Sequence, residues 1–545
     1  MRSKINRFFL LFLFLNFTSV ASAQSSGGGT NYLLTALAAI AVFIILGAII
    51  MVSDNLLKIE AKEIGADKTG TNYSIFPRFN ELFGASAPNY VDGPVTFLKK
   101  GHDILLEGEA TKSTNDGAGV TTFAIQPTNF IGMSPIPKVI VSVGDEVKAG
   151  DSIFFDKKRP EIQYVAPVSG EVVAINRGAK RSIAEVVILA DKEMSYRTFD
   201  VPDLEDCSRE DLVNFLMSSG AWSFLRQRPF SLVADPIDTP RNIFVSTFDS
   251  APLAPDLNYV IDGNEAAFQK GLEVLGKFAP VHLGLNAKGS EAPHHAFTQV
   301  EGVNKNWFHG KHPVGNVGVQ IHHTAPITSN SKVWVAGVQD VITIGKLFTE
   351  GKFDASRMVA ITGAEVETPQ YVKTYLGASI EGLVKGNLKP LEEGKSIRFV
   401  SGDVLSGKQT STEGYLGYYD DQVTVLEEGD QYEMFGWLLP LAPRPTISGT
   451  FPNGLYPDLK FQANTNTHGE KRAFVVTGQY ESVLPMDIYP QHLMKAIITN
   501  DFERMEGLGL LELAEEDVAL CEFACTSKQP LQSILKQGLD AMRDQ

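Results

Sequence analysis

The stretch from Val141 to Arg181, VSVGDEVKAGDSIFFDKKRPEIQYVAPVSGEVVAINRGAKR, constrains the fold of this chain more than any other. It holds two short β-rich runs, GDEVKAGD and APVSGEVV, each broken by a Gly-containing turn. Between them stands a charged tip, Asp156-Lys157-Lys158-Arg159-Pro160. Val and Ile alternate with polar residues on both sides of that tip. Such alternation sends one set of side chains into a core and the other into water, while Gly-Asp and Pro-Val-Ser-Gly supply the reversals. A small β-sandwich built of hairpins is the expected product.

This pattern resembles the biotinyl/lipoyl-type domains, which present a modified Lys at the hairpin tip. Counting back from Ala166-Pro167, the equivalent place falls near Arg159 and Pro160. An Arg cannot form the amide that a swinging arm needs. The resemblance therefore implies the fold and not the carrier role. A mass spectrum without modification on Lys157 or Lys158 would exclude an acyl or biotin carrier.

The N-terminus is composite. Arg2, Lys4 and Arg7 precede an apolar run, Phe8–Phe17, and Ala21-Ser22-Ala23 follows, so residues 1–23 read as a signal peptide. Residues 32–52 are apolar and uncharged. About twenty residues at ~1.5 Å each span roughly 30 Å, the hydrocarbon thickness, which predicts a single transmembrane helix. Without an ionisable group the span is an anchor and not an ion path. Lys58, Lys62 and Lys68 follow it, whereas Gln24–Asn31 carries no charge. The excess of basic residues places the soluble domains on the cytoplasmic side of the inner membrane, single-pass.

Beyond the span, residues 53–94 read as a linker rich in Gly, Asn, Ser and Pro. The lipoyl-like β hairpin domain covers 95–190. A mixed α/β segment, 198–351, alternates helices such as Ser208–Ser219 and Ala266–Phe278 with strands such as Asn242–Ser246, Asn258–Ile261 and Lys332–Val335. Residues 355–410, with MVAITG and SIRFVSG around the helical piece Ser379–Val384, suit a β-grasp domain. A β-rich segment, 411–485, and a C-terminal helical domain, 486–545, complete an α+β multidomain chain. Its net charge of −16 argues against nucleic acid as a partner. Three cysteines, Cys207, Cys521 and Cys525, are too few for a disulfide framework and suit a reducing compartment.

An ordered series of motifs carries a more specific resemblance. GHDILLEGEA (101–110), NFIGMSP (129–135), APVSGEVVAINRGAKR, FLRQRPFS (224–231), HPVGNVGVQIHH (312–323), GDVLSG (402–407), MFGWLLP (434–440) and EEDVALCEFAC (515–525) follow one another along the chain. Together they resemble the A subunit of the Na⁺-translocating NADH:quinone oxidoreductases, from about Val95 to the C-terminus. The first ninety-odd residues depart from that family, whose usual pattern starts near the equivalent of Val95.

The resemblance implies a cofactor-free component of a six-subunit membrane complex that oxidises NADH, reduces quinone and exports Na⁺. FMN, FAD, riboflavin and Fe–S would be carried by partner subunits, and this chain would dock on the quinone-binding membrane subunit. The family is related in turn to flavin-binding subunits of the Rnf complex and of respiratory complex I, which carry a Gly-rich loop opening a helix. Such a loop cradles phosphates through helix N–H groups. Here the corresponding SSGAWSFLRQRPFS keeps only Gly220, and Trp222, Phe224, Leu225 and Phe230 would block close approach. The α/β domain therefore reads as degenerate and Rossmann-like, binding neither FMN nor NADH.

Phe224-Leu225-Arg226-Gln227-Arg228-Pro229-Phe230, with Trp222, Phe130 and Met133, is the candidate quinone-proximal set. A quinone needs an apolar slot for its ring and donors for its carbonyl oxygens, and arginines alternating with Phe and Pro supply both. The competing reading makes the aromatics core and the arginines ion-paired. No nucleophile–base pair, triad or paired carboxylate is visible, so no catalytic residue is assigned. Cys521 and Cys525 read as small buried hydrophobes.

Seven of the ten histidines fall between His282 and His323. Imidazole is a common metal ligand, yet the pairs His294-His295 and His322-His323 are adjacent, and an extended segment points adjacent rings in opposite directions. Hydrogen-bonded or surface histidines are expected and no metal is assigned. Gly310, Pro313, Gly315 and Gly318 are read as a turn of close backbone packing, because their spacing fits no phosphate-loop pattern. A non-enzymatic, membrane-anchored lipoyl-domain adaptor of an efflux system is the alternative from another class. It would require a long heptad hairpin, and no sustained heptads occur.

Overall fold

In the computed structural model the Val141–Arg181 hairpins close into a sandwich. The structure describes residues 31–63, 87–117, 119–133, 137–328, 331–436, 438 and 442–545. One sheet of the sandwich orders Thr122–Ile125, Ile183–Ala190, Gly170–Arg177 and Glu146–Val147; the other orders Lys138–Val139, Ser152–Asp156 and Arg159–Val165. Ile153, Phe154, Ile162, Tyr164, Val172, Val186 and Ile188 fill the space between them. Lys157 and Lys158 form the tip, where Asp156 Oδ1 accepts the Lys158 N–H at 3.0 Å. Two strands within the expected domain of 95–190 pair with other sheets. Val95–Phe97 joins the sheet of the α/β domain, and Thr111–Asn115 runs parallel to Gln370–Tyr375 on the β-grasp sheet. Both are edge strands, and covering an open edge is a long-range pairing that local alternation does not encode.

The α/β domain is a seven-stranded sheet in the order Val95–Phe97, Asn304–His309, Val281–Asn286, Asn242–Ser246, Val333–Val335, Arg226–Arg228 and Leu232–Val233. The first five strands are parallel, and the last two form an antiparallel hairpin on the edge. From Asn242–Ser246 the chain moves outward in one direction through the next two strands. It then returns to place Val333–Val335 on the other side of Asn242–Ser246. The reversal opens a crevice at the carboxyl ends of those two strands, where open α/β sheets bind their ligands. The expected strand Asn258–Ile261 is instead a single helical turn, Leu257–Val260, because Asp256 accepts the Asn258 N–H at 3.0 Å and caps it.

The β-grasp sheet orders Lys408–Thr410, Ile397–Ser401, Gln422–Glu427, Ser356–Thr362, Gln370–Tyr375 and Thr111–Asn115, beside the helix Ile380–Val384. Gln422–Glu427 lies between two of its strands, so the sheet runs past the expected boundary at 410. The expected β-rich segment 411–485 keeps that one strand. Among its other described residues are a 3₁₀ turn, Pro452–Leu455, the short helix Gln479–Val483 and isolated bridges such as Leu106 to Phe461. Pro443, Pro445, Pro452 and Pro457 lack the N–H that a ladder requires.

The C-terminal part is helical, with Pro490–Ile498, Phe502–Gly507, Ala519–Ala524 and Leu531–Arg543 packed through Leu493, Met494, Leu520, Cys521, Leu531 and Leu535. Cys521 and Cys525 are buried free thiols. Among its described residues the N-terminal unit contains one helix, Asn31–Glu63, whose stretch Ala39–Leu57 is long and apolar enough to cross a membrane. This helix continues eleven residues past Val52, into the expected linker. The signal peptide reading and residues 64–86 of the linker lie outside the described residues.

Candidate functional site

A cavity of about 290 Å³ occupies the crevice at the strand ends. Ser246 from the end of one strand lines it, as do Val335, Ala336 and Gly337 from the end of the other. Two helices begin at its wall, Val338–Glu350 and Val317–Thr324. Their first N–H groups are what a phosphate would use in such a crevice. One of the protein's own carboxylates stands beside each helix start. Asp340 Oδ2 accepts the Gly337 N–H at 3.1 Å, while Asp340 Oδ1 pairs with the buried Arg357. Asp517 lies so close to the second helix start that a side chain on Gly318 would meet Asp517 Oδ2 at 2.3 Å.

The charge of the wall follows from this packing. Asp249, Asp403, Asp420, Asp421 and Glu516 all face the cavity, against Arg226 and His312. Arg228, 3% exposed, lies behind it and binds Glu516 Oε1 at 2.6 Å, with Asp517 Oδ2 at 3.8 Å. Burial works to raise the Glu516 carboxyl, but Arg228 and Arg226 outweigh it and hold Glu516 below the usual range. Asp517 goes the other way, raised by burial and by the Glu516 charge. The pair thus sheds its first proton easily and its second reluctantly.

His312 is 3% exposed, and burial lowers its imidazole to about 4, against the pull of Asp403 and Asp103. Its Nδ1 lies 3.1 Å from Ser250 Oγ, which accepts the Gly315 N–H at 2.8 Å. Nε2 is buried without a hydrogen-bond partner, and in the tautomer where Nδ1 accepts from the Ser250 hydroxyl it is Nε2 that carries the ring proton. Arg226 likewise has an unpartnered Nε, and its guanidinium lies 4.8 Å from the centre of the Tyr419 ring. The cavity therefore combines two unpartnered nitrogens, His312 Nε2 and Arg226 Nε, with an aromatic face inside an acidic rim. A larger cavity of about 940 Å³ lies among Ile104, Val400, Phe461 and Gln532. Its Arg398 and Arg444 are already paired with Glu428 and Glu433.

Comparison with known proteins places this architecture. Three family profiles match in chain order: the NqrA N-terminal barrel-sandwich hybrid domain over residues 96–191, the NqrA second alpha/beta domain over 207–353 and the NQRA C-terminal domain over 358–412. The A subunit of the Na(+)-translocating NADH-quinone reductase of Yersinia pseudotuberculosis serotype O:1b is 39% identical over 447 residues, covering 81% of this chain and 98% of that protein. The chain belongs to this NqrA family. The Alcanivorax borkumensis protein of the same name is also 39% identical, over 448 residues, and that of Vibrio atlanticus 36%. Each relative is covered over 98% of its length, while about four-fifths of this chain is matched.

Against the family's fold, the seven residues selected from sequence separate clearly. Trp222 and Phe224 have no exposure. Trp222 donates Nε1–H to the Ala234 carbonyl at 2.7 Å and meets Trp334 edge-on, and Phe224 stacks on Phe353 and Tyr418. Phe130 is wedged between Tyr164 and Tyr418, and Met133 packs on the same core. Phe230 packs against the C-terminal helices, and Arg228 is ion-paired. Arg226 alone lines the cavity. Gly220, with φ +84°, ends a helix against the sandwich, where an added Cβ would come 2.4 Å from Val165. Sequence reasoning missed His312, Tyr419 and Glu516. His312 opens the HPVGNVG turn, and that turn was the available signal.

The histidine pairs behave differently from an extended segment. His322 and His323 lie on a helix; His322 Nδ1 meets Glu512 Oε2 at 2.7 Å, and His323 Nε2 donates to the Pro485 carbonyl at 2.6 Å. His294 caps a one-turn helix that begins at His295, and their ring centres are 4.2 Å apart. The expectation that adjacent rings diverge fails there because the backbone is turning into a helix.

Proposed function

We propose that this chain is the cofactor-free NqrA component of a membrane Na⁺-translocating NADH:quinone reductase, standing at or near its quinone site. The observation that carries this reading is the cavity at the sheet reversal. Asp340 and Asp517 stand beside its two helix starts, and its rim is acidic, so an anionic flavin phosphate or dinucleotide is disfavoured. A neutral ring bearing carbonyl acceptors suits the free Arg226 Nε–H, His312 in its Nε2–H tautomer and the Tyr419 face. The volume lies at the small end of ligand pockets, which start at about 300 Å³. That is room for one ring system.

In this reading electrons pass from NADH to quinone through flavins and iron held by partner subunits, which also provide the Na⁺ path. This chain docks on the quinone-binding membrane subunit, with its soluble domains in the cytoplasm and the Asn31–Glu63 helix as an added anchor. The quinone-proximal set contracts to Arg226, with Phe130, Met133, Trp222, Phe224, Arg228 and Phe230 supporting it from the core. The isolated chain carries no catalysis of its own. Photo-crosslinking the intact complex with a reactive quinone tests the proposal. Labelled peptides containing Arg226 or Tyr419 are expected, and labelling confined to partner subunits would overturn it.

A further inference from the structure

We propose that Glu265, His294 and His295, joined by Asp262, form a binding site for a borderline divalent metal ion such as zinc. One ligand atom from each of Glu265, His294 and His295 lies within 4.8 Å of the other two. His294 Nε2 is 3.9 Å from Asp262 Oδ1 and 4.0 Å from Glu265 Oε1. Those gaps are too long for hydrogen bonds, and neither carboxylate is paired with a Lys or Arg among the described residues. Two imidazoles and two carboxylates at one point match what zinc, nickel or copper takes, whereas magnesium and calcium prefer oxygen alone.

The site is built from two elements that the core holds in register. Glu265 opens the helix Glu265–Gly276, and its Oε1 accepts the Gly263 N–H at 3.1 Å. His294 precedes the turn His295–Thr298, and its main-chain N–H donates to Asn258 Oδ1 at 2.7 Å. Beneath them, fully buried Phe297 and Phe268 meet edge to face at 5.4 Å, so the two helix starts cannot drift apart freely. Glu265 and His294 are half-buried, and His295 is exposed. A tetrahedral ion draws its ligand atoms to about 3.4 Å from one another. The exposed His295 and Asp262 side chains are free to rotate toward that spacing, and the 4.0 Å between His294 and Glu265 must shorten by about 0.6 Å.

Coordination has one internal requirement. His294 Nδ1 now accepts the Ala296 N–H at 3.2 Å, so Nε2 carries the proton. A metal on Nε2 moves that proton to Nδ1 and gives up the bond from Ala296. The Asn258 bond and the Phe297 packing remain to hold the loop. The ion would then clip the 262–265 turn to the 294–295 turn on the surface of the α/β domain.

The full chain in detergent, stripped with EDTA, would be titrated with Zn²⁺ alone against a competing chromophoric chelator, with Mg²⁺ as contrast. One Zn²⁺ per chain is expected, without Mg²⁺ binding. His295→Ala and Glu265→Gln should each weaken Zn²⁺ by about tenfold or more, with His492→Ala unchanged. His295 is exposed, so circular dichroism should show its variant folded, and Asp262→Asn provides a second exposed substitution. Zn²⁺ binding that survives His294→Ala/His295→Ala, or none up to about 1 mM, a level at which even a weak site fills, would overturn the proposal.

Discussion

His312 illustrates how a single side chain reports on its surroundings. Its folded-state value near 4 lies below the ordinary 6.5, so the neutral ring is favoured in the native protein. That contribution is present above about pH 6.5 and is lost as pH falls through about 4; it amounts to roughly 3 kcal/mol. His312→Gln should flatten the acid side of the stability profile across that window, read by urea unfolding at successive pH values. Arg228 makes a complementary case. Arg228→Ala strands Glu516 and the fully buried Asp517, and a loss of about 3–5 kcal/mol is expected at neutral pH. Because Asp517 is raised, it protonates early as the solution is acidified, and the defect should shrink with falling pH. At this scale the sequence was partly legible. The Arg-and-Phe run stood out in the sequence, but an aromatic-rich string looks the same whether it lines a slot or fills a core. Only tertiary packing separates Arg226 from Trp222 and Phe224.

Among the elements, the helices Glu265–Gly276 and Val338–Glu350 meet through glycines. A side chain on Gly345 would come 1.7 Å from the Ala267 carbonyl oxygen, and one on Gly271 would come 2.1 Å from that of Val341. Gly345→Ala should therefore force the helices apart, costing about 3 kcal/mol, seen as a lowered thermal midpoint. Gly220→Ala combines a left-handed backbone with a clash on Val165, and a loss of roughly 2–4 kcal/mol is expected. Element type was readable wherever periodicity was long or capped. Asn242–Ser246, the Ser208-capped helix Arg209–Ser218 and Ile380–Val384 all fall where alternation and capping residues place them. Misreadings arose where a competing local signal won. The Asp256 cap turned an apolar tetrad into a helical turn, and the prolines after residue 442 removed the expected strands.

For the whole molecule, the sheet reversal creates a crevice of the kind in which open α/β sheets bind ligands, and the proposed absence of a nucleotide rests on what lines it. Strand order dictates the crevice, and carboxylates from Val338–Glu350 and from the 515–518 turn stand beside its two helix starts. Strand order is a long-range property and was not visible in sequence; only the loss of the glycines hinted at it. The N-terminal helix makes a separate demand. Deleting residues 1–63 should leave membrane association dependent on the partner subunits and sensitive to salt, as read by fractionation, whereas the full chain should remain bound alone. The most direct test is the flavin and dinucleotide content of the purified full chain. Acid extraction should release well under about 0.1 flavin per chain, and calorimetry should register no NADH binding at concentrations up to about 1 mM. Stoichiometric flavin, or NADH bound at micromolar concentrations, would contradict the proposal that carboxylates beside the helix starts exclude a phosphate.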